Sequence, residues 1–238
     1  RDRDKEYRRQ RQMCIRDRSN TDMWRRFFYS VLFLAIVSGL LYFWTPPGST
    51  PDPEAQRIAK DGLAAVSILP ERVRILGYDR SKFGNGWAKK VDRAGDYCST
   101  RELVLNQSFD TSPPATGESC PRAIGTASDE YTAGSIEPSA TDIDHIFPLA
   151  AAWDLGAHAW DDAKRQEFAN DWQFNLALTA SNVNREKSDA TLSTWLPPLP
   201  EARCPYVARF LLVAQRYQLA ITAADAESAR RECQLSEG

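Results

Sequence analysis

Hydrophobic positions fall into one uniformly apolar run, followed by segments of mixed helical and strand period. The run spans Phe27 to Trp44, 18 residues without a charge, and follows Trp24-Arg25-Arg26. As a helix rising ~1.5 Å per residue it would reach about 27 Å, close to the ~30 Å hydrocarbon layer. Residues 23–44 are therefore expected to be a transmembrane anchor or a signal peptide. Membrane contact would run through residues 27–44, with Arg25 and Arg26 inside and the rest outside. Beyond it, 45–53 reads as a Pro-rich tether, and Pro53 to Leu69 as a leading helix with Ile58, Leu63 and Val66 on its apolar side. Leu103-Val104-Leu105 predicts a short strand, and residues 106–141, rich in Ser, Thr, Pro and Gly, predict a long loop. Next come a strand end and turn over Ile143 to Pro148 and a short helix from Leu149 to Leu155. A helix from Asp161 to Asp171 and a strand from Phe174 to Leu178 follow. Asn182 to Lys187 opens a helix capped by Ser181 or Asn182. Tyr206 to Leu219 is the clearest amphipathic helix, and Ala223 to Glu232 is the last. The mixture is α+β.

Composition narrows the class. The chain has 238 residues and 42% hydrophobic side chains, which excludes collagen, a disulfide miniprotein and a wholly disordered chain. Charge is unevenly spread: residues 1–26 are net +5, while residues 45–238 hold 20 positive and 27 negative side chains. Residues 1–22 are charge-dense and without periodicity, and Met13-Cys14-Ile15-Arg16-Asp17-Arg18 resembles translated sequencing-adaptor text. They are expected to be a non-native or disordered tail, the native chain starting at or near Met23. The remainder, 70–238, is large enough for one domain with its own core. Within it, residues 71–101 are locally basic, with eight positive against four negative side chains.

With Cys14 set aside, Cys98, Cys120, Cys204 and Cys233 remain, and no Cys-x-x-Cys supports a zinc site. An even number outside the membrane points to two disulfides. Three pairings are open, of which Cys98–Cys120 with Cys204–Cys233 is the sequence-local one. Each such loop contributes about 3 kcal/mol in the chain-entropy model.

A nucleophile elbow, a phosphate loop and a His-Glu-x-x-His helix are all absent, and two histidines argue against a multi-histidine metal site. What remains is Asp142-Ile143-Asp144-His145-Ile146-Phe147-Pro148, with Asn175 and the helix Asn184-Arg185-Glu186-Lys187-Ser188-Asp189 downstream. Neighbours on a strand face opposite sides, so Asp144 and His145 are able to serve two functions. A hard cation such as Mg²⁺ takes a few protein oxygens and keeps waters, which Asp144 and the amide oxygen of Asn184 would supply. An imidazole near neutral pKa accepts a proton from water.

Together these residues resemble the HNH (ββα-metal) nuclease motif: Asp-His ending one strand, Asn at the second, Asn on the following helix. Asn175 and Asn184 stand nine residues apart, as that motif's last two positions do in some members. Residues 78–217, about 60% of the chain, are similar to bacterial exported HNH endonucleases. The resemblance rests on Tyr78-x-Arg80-x-x-Phe83-Gly84-x-x-Trp87, Cys98-x-Thr100-Arg101, Tyr131-Thr132-x-Gly134, Ile143-Asp144-His145-Ile146-x-Pro148-Leu149, Ala152-Trp153-x-x-Gly156-Ala157 and Thr194-Trp195-Leu196-Pro197-Pro198. Ser188 stands where those proteins usually have Gly.

The resemblance implies a ββα-metal core with additional helices, behind the N-terminal transmembrane or signal helix. It implies an endonuclease that hydrolyses DNA phosphodiesters, RNA being a second candidate, with low sequence specificity. His145 would activate water, Asp144 and Asn184 would hold Mg²⁺, Mn²⁺ or another divalent cation, and Asn175 would orient His145 or brace the loop between the strands. Lys187, Arg80, Arg101, Lys89 and Lys90 are candidate phosphate contacts, the alternative being a solvated helix charge for Lys187 and an ordinary solvated face for the others. Asp142 would stand behind the metal ligands or on the surface, Asp189 would hold Lys187 or local backbone, and His158 is expected to be structural. The location would be extracytoplasmic, anchored or secreted. The alternative is a catalytically silent module that binds nucleic acid or envelope components, which would have no need of all four motif residues.

Overall fold

The computed structural model describes residues 24–34, 51–91 and 95–236 and divides into two units, 1–49 and 50–238. In the first, residues 24–34 form a helix whose large side chains, Trp24, Phe27, Phe28 and Phe33 among them, are exposed. The expected tail over 1–22 lies outside the described residues, as do positions 35–44 of the apolar run and most of the tether. Among the described residues no helix is long and apolar enough to cross a membrane.

In the second unit the leading helix is shorter than its pattern implied: α1 covers Pro53–Ala65. Proline at the first helical position and an Asp52 carboxylate accepting from the Ala55 amide at 3.1 Å set its start. Ala55, Ala59 and Gly62 share its buried face, which packs on the central helix α6, Pro200–Tyr217. A methyl group at Gly62 would lie 2.8 Å from the Leu211 Cβ, so glycine lets the two helices approach. Helix α6 runs through Pro205 and is buried nearly all round, as a helix at the centre of a core must be. Phe147 stacks on its Phe210 at 4.3 Å, and Phe83, Phe168, Trp153 and Trp195 extend the same core.

Leu103-Val104-Leu105 is not a strand. It lies in α2, Thr100–Ser108, because Ser99 and Glu102 form a reciprocal capping box that starts a helix, and only Val104 of the three is fully buried. Residues 106–141 are also more ordered than a long loop. They contain β4 (Asp110–Ser112) paired with β5 (Arg122–Ile124), and β6 (Ala127–Ser128) paired with β7 (Ser135–Ile136). Upstream, β1 is Ile68–Leu69, and β2 (Lys89–Val91) pairs with β3 (Tyr97–Ser99). The disulfides join Cys98 to Cys120 and Cys204 to Cys233, the sequence-local pairing.

Three elements build the rest of the frame: β8 (Thr141–His145), β9 (Leu176–Ala180) and α5 (Ser181–Lys187). The strands are antiparallel, Asp144 opposite Ala177 and His145 opposite Leu176. Ile143, Leu176 and Leu178 face a small second core with Val104 and Phe109. Between the strands lie α3 (Leu149–Asp154) and α4 (Asp162–Ala169). The chain ends with β10 (Ile221–Thr222), parallel to β1, and α7 (Ala223–Glu232).

Candidate active site

Strand alternation puts Asp142 and Asp144 on one face of β8 and His145 on the other. Helix α5 lies along the first face. Its Asn184 and Lys187, three residues apart on one helix side, meet the strand's two carboxylates in turn. Asn184 Nδ2 donates to Asp142 Oδ2 at 3.1 Å. Lys187 Nζ lies 3.0 and 2.8 Å from the two oxygens of Asp144 and donates to the His145 carbonyl at 2.8 Å. Tyr131 Oη donates to Asp144 Oδ2 at 2.6 Å. Lys187 is wholly buried, which pushes its pKa down against the opposing pull of Asp144. Burial and the nearby Asp144 charge push the Tyr131 phenol well up. Lys187 is therefore not a phosphate contact: the path from α5 to β8 encloses its ammonium.

His145 Nε2 lies 3.0 Å from the Ala169 carbonyl at the end of α4. A carbonyl only accepts, so Nε2 carries the proton and the Nδ1 lone pair is the ring's remaining acceptor. Burial, outweighing the Ala169 bond, lowers the pKa of His145 to about 3, so the ring is neutral. Trp87 stacks on the imidazole at 5.6 Å with 10° between planes.

Asn175 is fully buried, and its side-chain hydrogen bonds go to groups other than the His145 ring. Its Oδ1 accepts from the Phe147 amide at 2.9 Å, and its Nδ2 donates to the Phe168 carbonyl at 3.3 Å. It ties the turn after β8 to the end of α4, next to the carbonyl that holds His145.

A cleft of about 480 Å³ is lined by Asp144, His145, Asn184, Arg74, Arg80 and Asp189, among others. The four basic candidates other than Lys187 separate here. Arg80, at the start of a 3-10 turn over Arg80–Phe83, borders the cleft. Arg101 instead donates to the Thr141 carbonyl at 2.8 Å, bracing the start of β8. Lys89 and Lys90 sit on the exposed β2–β3 hairpin, Lys89 over the Tyr97 ring, and are not among the residues lining the cleft. Asp189 holds neither Lys187 nor only backbone. Arg72 binds its side chain at 2.9 Å and its carbonyl at 2.8 Å, and reaches Asp154 at 2.8 Å, while Arg74 pairs with Asp189 at 2.9 Å. Burial opposes the ionised Asp189, yet Arg72 and Arg74 hold its carboxyl below the ordinary value. His158 Nδ1 meets the Trp153 carbonyl at 2.8 Å, a structural contact.

Tyr131, Trp87 and Arg74 were assigned no role from sequence. Tyr131 and Trp87 belong to quoted motif pieces, but no local pattern tells that a loop tyrosine reaches a carboxylate thirteen positions on.

Among the described residues no group of three or more His, Cys, Asp or Glu side chains could hold a metal. Asn184 Nδ2 is spent on Asp142, which leaves its Oδ1 as an oxygen donor on the cleft, whereas both Asp144 oxygens already meet Lys187 or Tyr131, so a cation would share that carboxylate with them. Two protein oxygens with waters completing the shell fit Mg²⁺ or Mn²⁺, not a thiolate-seeking metal.

A strand pair feeding directly into a short helix, with carboxylate, imidazole and amide over one cleft, is a nuclease-type unit. Residues 82–229, well over half of the chain, match the family described as GmrSD restriction endonucleases, C-terminal domain, and the chain belongs to that family. It is also 34% identical over 198 residues to an "Uncharacterized secreted protein" of Arthroderma benhamiae (strain ATCC MYA-4681 / CBS 112371), covering 81% of this chain and 93% of that protein. No solved structure matches.

Proposed function

We propose that the protein is an HNH-type endonuclease that hydrolyses DNA phosphodiesters outside the cytoplasm with low sequence selectivity. The observation that carries the reading is the His145 tautomer: Nε2 is committed to Ala169 and Nδ1 is the unprotonated acceptor of a neutral ring, in a cleft with Asp144 and Asn184. His145 Nδ1 takes the proton of the attacking water, and the products carry a 5′-phosphate and a 3′-hydroxyl. Asp144 and Asn184 would hold one Mg²⁺ or Mn²⁺, which would supply charge stabilisation at the phosphate and the leaving 3′ oxygen. Arg80 and Arg74 neutralise phosphate charge along the cleft. Asn175 and Lys187 are positioning residues: one fixes the carbonyl end of α4, the other the Asp144 carboxylate.

Export is supported by the two disulfides and by the relative's name. An anchor over 27–44 rests on sequence alone and would place the protein in the membrane fraction.

Incubation of the oxidised protein with plasmid DNA and with RNA, in Mg²⁺, in Mn²⁺ and in chelator, tests the reading. Nicking that chelator abolishes is the expected result. A folded, oxidised protein that is inert on both polymers in both metals belongs to the silent binding module.

A further inference from the structure

We propose a nucleobase subsite beside His145: the aromatic recess at Trp87 takes the base of a nucleotide flanking the scissile phosphate. The proposal rests on the nuclease reading above and adds where the substrate's apolar part goes.

A second cavity, of about 200 Å³, is lined by Phe83, Gly84, Gly86, Trp87, Leu149 and Ala169. It shares Arg80, His145 and Leu149 with the catalytic cleft, so the two volumes meet at the imidazole and at one exposed cation. Their linings differ in kind. The cleft holds Asp144, Asn184 and Asp189, whereas the recess has no carboxylate: Phe83, Leu149 and the Trp87 ring, stacked on His145, line it together with Arg80 and backbone. A nucleotide is built the same way, a charged phosphate joined to a flat ring with apolar faces, and aromatic side chains hold such rings by stacking.

The recess is also kept open. Gly84 and Gly86 have φ of +105° and +88°, backbone that disfavours any larger residue, and a Cβ at Gly86 would meet nothing within 4 Å. Trp87 is in turn held in place, its neighbour Ala88 donating its amide to Asn170 at 2.8 Å and accepting at its carbonyl from the Thr100 amide at 2.8 Å. A base enters only after leaving its stack, so unpaired strands are preferred over duplex.

The test uses the full oxidised chain in Mg²⁺ and a single-stranded oligonucleotide with one cleavable phosphodiester, the other linkages being methylphosphonates. Two companions carry an abasic residue on the 5′ or the 3′ side of that bond. One of them is expected to be cut with kcat/KM lower by roughly 5- to 100-fold, the worth of one stacked base. Trp87→Leu is expected to cut all three within about twofold of one another. Because each comparison is made within one enzyme, a general loss from disturbing His145 cancels. Equal cleavage of all three by the wild type overturns the subsite, whatever the variant does. Undiminished discrimination by Trp87→Leu overturns the role of the tryptophan. No cleavage of this oligonucleotide, of its all-phosphodiester counterpart or of RNA, in Mg²⁺ or in Mn²⁺, overturns the nuclease reading beneath it, whereas cleavage of the all-phosphodiester counterpart alone moves the abasic comparison onto that backbone.

Discussion

Lys187 offers the sharpest contrast between a solvated helix charge and a built-in one. In Lys187→Met the chain loses an ammonium that is 0% exposed and lies 2.8–3.0 Å from three oxygens: both of Asp144 and the His145 carbonyl. Methionine fills much of the same volume, so packing changes little. What remains is a buried carboxylate with Tyr131 as its surviving donor. Removing one partner of a buried ion pair costs about 3–5 kcal/mol, against about 0.5 kcal/mol or less for an exposed lysine. That is a large share of the ~5–15 kcal/mol by which a domain is stable. Urea denaturation of the oxidised protein in chelator measures it. In the same series Asp144→Asn with Lys187→Met is expected to cost less than the two single changes summed, by about 2 kcal/mol. The salt dependence of DNA binding provides an independent arm. A phosphate contact contributes about 0.9 to the log–log slope, and Lys187→Met is expected to leave the slope unchanged. A loss of stability below about 1 kcal/mol together with a slope reduced by one would refute the buried pair and restore Lys187 to the substrate.

Three further substitutions have signs set by the geometry. Ser188 holds φ +52° and ψ −126°, a region suited to glycine, so Ser188→Gly is expected to raise the urea midpoint by an amount worth about 1 kcal/mol; a lower midpoint would contradict the strain. Gly62→Ala improves helix propensity by about 1 kcal/mol yet forces a methyl against Leu211, so calorimetry is expected to show a net loss of about 1–2 kcal/mol. Asn175→Ala leaves the Phe147 amide unpaired, while the Phe168 carbonyl keeps the Asp171 amide at 3.4 Å, at a cost of about 1–3 kcal/mol. With nuclease substrate its kcat is expected to fall while KM holds, and a change in KM alone would argue for substrate contact.

Much of the frame of the candidate site was legible because its signals are local. Asp144 and His145 are strand neighbours and so diverge, and the buried run of β9 leads straight into a short helix. The helix spacing from Asn184 to Lys187 even contained the clue that Lys187 shares the side facing β8, but a lysine near a phosphate enzyme reads first as a phosphate contact. Leu103-Val104-Leu105 misled for a different reason. A short apolar triplet carries no period, and the Ser99–Glu102 capping box that decides it lies just upstream. Tyr131, Arg72 and Arg74 were out of reach because their meaning comes from tertiary approach: each meets its carboxylate across many positions of chain, with no spacing rule linking them.

The central claim is that His145 acts as the base in a metal-loaded cleft. Single-turnover cleavage of a labelled DNA by wild type and His145→Ala at saturating Mg²⁺, with Mg²⁺ affinity measured in parallel, addresses it directly. The account predicts a rate lower by at least about 100-fold with metal affinity within about twofold of wild type. A variant that cleaves within about threefold of the wild-type rate would contradict it.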